Sequence, residues 1–287
     1  MSVVHDLPTP SFQIPVIGGV AAFDPVTLCT AARGLSEKGL HVHLPVELDH
    51  GIPADLAALA VITFSPPDGS PVSVTATIDT GRLTWDLSEP VEPWDFTDYR
   101  DAECYGVDIG KHNVVEVDGT PVASVPMRLP SGAPVNVWFA EYPAETESID
   151  AFGLLHRVDH LVSGYSRGEG KMFDRVVVPA LDFTYATEAG GARVEEWEET
   201  TVLQRFAAAL NEDGARVIAE TEILETGPPP SIDQLPSEYV FGAKGPILTW
   251  FTQPGNPMPF SIIWSSSDGW SDPSEEIDLD EVELTGI

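Results

Sequence analysis

Apolar and polar residues alternate along much of this chain, the period-two pattern of strands with one face buried. "GLHVHLPVEL" over 39–48 and "VSVTATID" over 72–79 alternate in this way. "NVVEVDGTPVASVPM" over 113–127 predicts a hairpin that turns at Asp118-Gly119, a pair suited to a tight two-residue corner. Further strands are predicted at "PVNVWFAEY" (134–142), "RVVVPALDFTYAT" (175–187), "PILTWF" (246–251) and "FSIIW" (260–264). Pro179 lacks an N–H to give to a ladder, so an edge or a bulge is expected there.

Helical periodicity is confined to fewer places. From Ser148, the expected N-cap, apolar residues recur at Ile149, Phe152, Leu155, Val158 and Val162, and Gly164 ends the run. A second helix is expected over 24–37, "DPVTLCTAARGLSE". Residues 195–210, "EEWEETTVLQRFAAAL", satisfy both periods. Leu203, Phe206 and Leu210 fit a helix and the alanines favour one, whereas Val202, Gln204, Phe206, Ala208 and Leu210 fit one face of a strand. A proline-rich loop follows at 225–237, "ETGPPPSIDQLPS". From Asp272 onward the chain carries seven acids in sixteen residues and is expected to be solvated. Many strands with few helices, and no strand–helix alternation, predict a β-rich α+β fold.

Composition narrows the function classes. The 287 residues, 43% of them hydrophobic, suffice for the core of one large domain or two modest ones. Cys29 and Cys104 are the only cysteines, so a disulfide framework and a cysteine-rich metal site are excluded, and a 29–104 bridge is the one disulfide the chain could form. The opening "MSVVHDLPTPSFQIP" has neither a basic n-region nor an apolar h-region, so no secretory signal is expected in the chain as given and the cytoplasm is the default. No apolar run has the length of a membrane span. Acids outnumber bases 46 to 14, a formal net charge of −32. That charge repels phosphate backbones and anionic lipids, which disfavours nucleic acid and membrane as partners and leaves a basic protein as one class of partner. With four lysines against ten arginines, the bias fits a salt-adapted surface or a GC-rich genome.

The motifs that suggest catalysis or metal binding are weak on their own terms. "GYSRG" (164–168) matches the nucleophile-elbow string, but here a helix precedes Ser166 and a strand follows, the reverse of the order that motif needs. His156 and His160 share a helix face, yet Arg157 stands where a zinc protease has its glutamate. His41 and His43 share a strand face, with His50 near in sequence, as expected of a half-exposed strand. No glycine-rich phosphate loop is present. The expectation is a protein with no catalytic residue, metal or cofactor.

Four stretches, in order, carry a family resemblance. They are "VPMRLPSGAPVNVWFAEYPAE" with the helix "TESIDAFGLLHRVDHLV" after it, "RVVVPALDFTYATE", "TVLQRFAAALNEDGARVIAET", and "YVFGAKGPILTWF" with "FSIIW" and "DP". Together they resemble the C-terminal half of the serpins, over about residues 121–273. The third stretch is the most specific: it aligns without a gap to the segment that leads into the serpin reactive loop, with Asn211, Glu212, Gly214, Ala219 and Thr221 identical to the family pattern.

The resemblance implies a single serpin-like domain over 1–273, of which 1–120 is not mapped to the family, and an acidic tail over 274–287. It implies a large central sheet, a second sheet or barrel-like C-terminal part, and few helices. It makes 201–210 a strand, against its helix propensity. It implies a hinge at Glu212, Gly214, Ala215, Val217, Ala219 and Thr221, leading into an exposed reactive loop over about 215–240 that includes Glu225, Thr226, Gly227, Pro228 and Ser231. The implied partner is a serine or cysteine protease, trapped when the cut loop enters the sheet as a new strand. A serpin-fold binding or structural module without inhibition, and an unrelated β-rich protein, are the alternatives. The sequence departs from the family in its short length and in Arg216, Val217 and Ile218, where alanines prevail. It departs also in the "GPPP" at the expected scissile region, and in Trp264-Ser265-Ser266 in place of glycine and a base.

Overall fold

The computed structural model describes residues 12–44, 60–64, 74–142, 145–189, 192–195, 200–222, 239–256, 258–271, 277–279 and 282–284. Strand β1 (Val20–Phe23) is wholly buried and runs into helix α1 (Pro25–Glu37). Asp24 caps that helix by accepting from the Thr27 amide at 2.7 Å, with Pro25 at its first position. Strands β2 (Ala60–Phe64) and β3 (Val74–Asp79) follow as an antiparallel pair. Short β4 (Gly106–Asp108) precedes the hairpin of β5 (His112–Val117) and β6 (Thr120–Arg128). Its corner is at Asp118 and Gly119, with φ of 47° and 81°, the positive-φ turn that Asp-Gly predicts.

Strand β7 (Pro134–Glu141) leads to helix α2 (Ala151–Tyr165) and then β8 (Glu169–Phe173), β9 (Val176–Pro179) and β10 (Leu181–Ala189). A hairpin of β11 (Val202–Asn211) and β12 (Gly214–Glu222) comes next. Short β13 (Tyr239–Val240), β14 (Ile247–Thr252) and β15 (Ser261–Ser265) close the series.

Two sheets dominate. The central sheet has the order β10–β11–β12–β3–β2, with every neighbouring pair antiparallel. The larger sheet runs β8–β5–β6–β7–β14–β15–β1, and the short strand Thr84–Trp85 pairs with β6 off that path. A smaller sheet joins β13, β9, β4 and the strand Glu92–Pro93. The strand-rich α+β class, with a central sheet, a second large sheet and few helices, is as the residues and the serpin resemblance imply. One core cluster lies against the β10–β11–β12 part of the central sheet and includes Phe206, Val217, Ile247 and Phe260. The other gathers α1 and α2 around Phe12, Phe23, Phe152 and Trp250. Cys29 and Cys104 sit buried in different clusters as thiols, so the 29–104 bridge is not formed. No described helix is long and apolar enough to cross a membrane.

Several expectations are corrected. Ser148 is not the cap of α2: it lies in a short strand paired with Gln13–Pro15, and Asp150 caps the helix by accepting from the Phe152 amide at 3.2 Å. The helix also runs past Gly164 to Tyr165. The 175–187 run is two strands, not one. Pro179 ends β9 opposite Gly106, and after Ala180 the chain crosses to the central sheet as β10. The missing N–H thus marks a change of sheet instead of an edge. Of 39–48 only Val42–His43 forms a described strand, and 45–48 lies outside the described residues.

Residues 202–211 are a strand, hydrogen-bonded along their length to β10 on one side and β12 on the other. The alanines that favour a helix serve here as small residues for both faces: Ala207 and Ala209 are buried on one side and Ala208 on the other. The acidic 274–287 stretch is not simply solvated. Ile277, Leu279 and Val282 are buried while Asp278 and Glu283 are exposed, so the described residues of this stretch hide apolar side chains and keep their acids in water.

Candidate functional site

The hinge predicted at 212–221 falls on the β11–β12 hairpin, in the middle of the central sheet. The connection is a two-residue turn, Glu212-Asp213, between the paired residues Asn211 and Gly214. Asn211 Oδ1 accepts from the Asp213 amide at 3.0 Å, closing the corner locally. Glu212 accepts a short hydrogen bond from the Tyr105 hydroxyl, and Asp213 pairs with Arg82. Burial, together with the hydrogen bond to Glu212, pushes the Tyr105 phenol well above its ordinary pKa, so it stays a donor. Asn211 also accepts at its carbonyl from the Trp85 indole, 3.1 Å away.

Gly214 is required by a close approach. Its φ is +141°, and a Cβ there would overlap the carbonyl oxygen of Leu83. That approach lets Leu83 and Ala215 exchange both backbone hydrogen bonds, Leu83 N–H to Ala215 at 2.7 Å and Ala215 N–H to Leu83 at 3.1 Å. Two residues further on, Thr80 and Val217 do the same through backbone and hydroxyl. The Thr80 amide donates to the Val217 carbonyl at 3.0 Å, and the Val217 amide donates to Thr80 Oγ1 at 3.0 Å. The 80–83 segment thus extends β3's grip on β12 beyond the ladder that starts at Ile218 and Asp79.

The two faces of β12 differ. Ala215, Val217, Ala219 and Thr221 stand opposite Leu210, Ala208, Phe206 and Gln204 of β11, so these eight share one face. Gln204 ties that face to α1: its side chain donates to the Asp24 carbonyl at 2.8 Å and accepts from the Asp24 amide at 3.3 Å. Asp24 is fully buried there, and its Oδ2 has no hydrogen-bond partner among the described residues. Burial drives its carboxyl up to about 7, against the capping hydrogen bonds that pull it down. On the opposite face Arg216 grips Asp79 with two bonds, at 2.8 and 3.2 Å. Burial works against the Asp79 charge, but the Arg216 bonds and the Gly81 amide outweigh it and hold that carboxyl below its usual range. Ile218, the apolar residue on this otherwise polar face, is buried as well.

Hinge positions Glu212, Gly214, Ala215, Val217, Ala219 and Thr221 are therefore brought together on one hairpin, Thr221 by its strand position. The loop positions Glu225, Thr226, Gly227, Pro228 and Ser231 lie outside the described residues. The partners that fix the hairpin (Thr80, Leu83, Trp85, Tyr105, Ile277 and Leu279) come from remote parts of the chain and carried no sequence signal. The oppositely charged pair Arg216–Asp79 was equally silent, because 137 residues separate its members.

The other sequence candidates are dispersed. Ser166 is the C-cap of α2, with a helix before it and β8 after. His160 pairs with Asp118 at 2.9 Å and His43 with Glu195 at 3.0 Å, while the described residues bring no three metal-ligating groups together.

No family model matches this chain, and no curated protein does. The solved structures it is similar to are serpins. They include the thermophilic serpin tengpin in its latent state, at 11% identity and TM-score 0.44 over 70% of this chain and 58% of that one. Cleaved serpin 42Da is similar at 10% identity and TM-score 0.46, over 79% and 61%. Native protease nexin-1 with heparin is similar at 11% identity and TM-score 0.37, over 65% and 53%. The chain thus spans less than two thirds of the length of each of these serpins.

Proposed function

We propose that this chain is a serpin-like inhibitor of serine or cysteine proteases, working through an exchangeable strand. The observation that carries the reading is the position of β12. It lies between β11 and β3 and is antiparallel to both, so those two strands are parallel to each other. Withdrawing β12 leaves β11 and β3 as two parallel edges that can pair directly, so the sheet can close behind the strand. The segment is also suited to re-entry. Ala215, Val217 and Ala219 are small or medium apolar residues on one face, and the turn before them is two residues long.

In this reading the described form is the inserted one, and 223–238 is the bait. The protease nucleophile attacks a carbonyl in the bait and the peptide bond breaks. The new acyl-enzyme is then carried off as β12 enters the sheet. The sequence resemblance over 201–221 supports the same assignment.

A second reading, a non-inhibitory binding or structural module, is favoured by one specific observation. The strand is already paired on both sides in a chain whose 223–238 connection is continuous, and Val217 and Ile218 fill it with bulk. Mixing freshly folded protein with a panel of serine and cysteine proteases separates the two. The inhibitor reading expects an SDS-resistant band at the mass of the protease plus the N-terminal part of the cut chain, with the C-terminal fragment released. Fragments alone, with every protease fully active afterwards, would establish the second reading.

A further inference from the structure

The face of the central sheet turned away from Asp24 carries Ala207 and Ala209 of β11 with Arg216 and Ile218 of β12, by the alternation of the two strands. A sheet face of this composition left in water would leave its alanines open, yet Ala207 and Ala209 are each 1% exposed and Ile218 8%. They share one core cluster with Ile277, Leu279 and Val282. Two hydrogen bonds fix where that segment lies. Asn211 Nδ2 donates to the Ile277 carbonyl at 2.9 Å, and Arg216 Nη1 donates to the Leu279 carbonyl at 3.3 Å. Both donors sit on this same face, one at the hairpin corner and one on β12.

We infer that the described tail residues, 277–279 with 282–284, are a strap across the β11–β12 hairpin that holds β12 in the sheet. The contacts fall on the part of β12 that must move if the strand is exchanged. Arg216 is the link between them, since one guanidinium bonds both Asp79 of β3 and the Leu279 carbonyl. Releasing the strap uncovers Ile218, Ala207 and Ala209 and frees one side of Arg216. The strap also accounts for Ile218, whose apolar side chain has no purpose on a solvated strand face. Asp278 and Glu283, the acids among its described residues, are exposed. The inference rests on the reading of β12 as an exchangeable strand and adds the element that sets how readily it exchanges.

Hydrogen exchange on the full chain tests it, with Leu279→Ser and Val282→Ser as strap variants, and Leu279→Met and Glu283→Gln as controls. The strap predicts that amides of 214–222 exchange at least about tenfold faster in the two serine variants, while 181–189, which pairs with β11 and not with β12, keeps its wild-type rates. The two controls should behave as wild type. Unchanged β12 rates in variants of a protein whose β12 does open locally would remove the strap and leave the exchangeable strand standing. Equal acceleration of β12 and β10 would reduce the segment to ordinary core packing and overturn the proposal. If wild-type β12 exchanges only together with β10, the exchangeable-strand reading falls, and the strap with it.

Discussion

Gly214 lies against the carbonyl of Leu83 with no room for a Cβ, and its φ of +141° is one that residues with a side chain rarely adopt. Any replacement must push the β12 backbone away from Leu83 and stretch the reciprocal bonds between Leu83 and Ala215. Backbone cannot rotate aside as a flexible side chain can. Gly214→Ala should therefore destabilise the protein by about 2–4 kcal/mol, read from denaturant midpoints at constant slope. Gly119→Ala, at a turn with open space around it, should cost less than this. Equal losses at the two sites would mean that the Leu83 contact is not what demands glycine.

Asp24 makes stability depend on pH in an uncommon direction. Its carboxyl titrates near 7 in the fold against 3.8 in the open chain, because burial penalises its charge. Below the lower value both states are protonated and the group is neutral in effect. As pH rises towards 7 the unfolded chain sheds the proton while the folded chain keeps it, so stability falls. Above 7 the full penalty, up to about 4 kcal/mol, is in place. Asp24→Asn keeps a capping oxygen and cannot ionise. The stability of the variant relative to wild type should therefore climb between pH 4 and pH 8, measured by urea unfolding. A difference that stays flat with pH would show that Asp24 is accommodated as a charge.

The net charge of −32 sets a self-repulsion that salt relieves. Screening length shrinks from about 10 Å at 0.1 M to about 3 Å at 1 M, so most of the relief comes before strong salting-out begins. The thermal midpoint should rise by several degrees between 0.05 and 0.5 M KCl, and sucrose at equal osmolality should give less. A flat response to KCl would mean that the carboxylates are spread widely enough not to matter.

What the sequence made legible follows from where its signals are local. Asp118-Gly119 specified its turn because φ at both residues is a local matter, and α1 began at Asp24-Pro25 for the same reason. The β11–β12 hairpin was legible through a family pattern. Local propensity alone pulled Ala207, Ala208 and Ala209 towards a helix, and only pairing to β10 and β12 decides otherwise. Pro179 was visible as a breaker, but whether it breaks to an edge or to another sheet depends on Gly106, which is far away in sequence. The grip of Thr80 and Leu83 on β12, and the burial of Leu279 beneath a run of acids, are products of packing. A charge-rich segment with an apolar residue at every second or third place reads as solvated until a face exists for it to cover.

A last expectation follows from β12 being paired on both edges. The stabilisation that strand insertion releases is already present in this form, so a cut within 223–238 has little left to add. Protein folded to the described state and nicked there by limited proteolysis should melt within about 2 °C of the intact chain, a difference of no more than about 1 kcal/mol for a chain of this length. A form with β12 withdrawn would behave otherwise, its midpoint rising sharply on the same cut as the strand enters the sheet. Measured on freshly folded and on aged samples, the shift reports which form is populated. A large rise in the fresh sample that fades with age would place the described structure at the end of a slow transition. No rise in either would mean that folding delivers β12 to the sheet directly, which favours the binding-module reading over the trap.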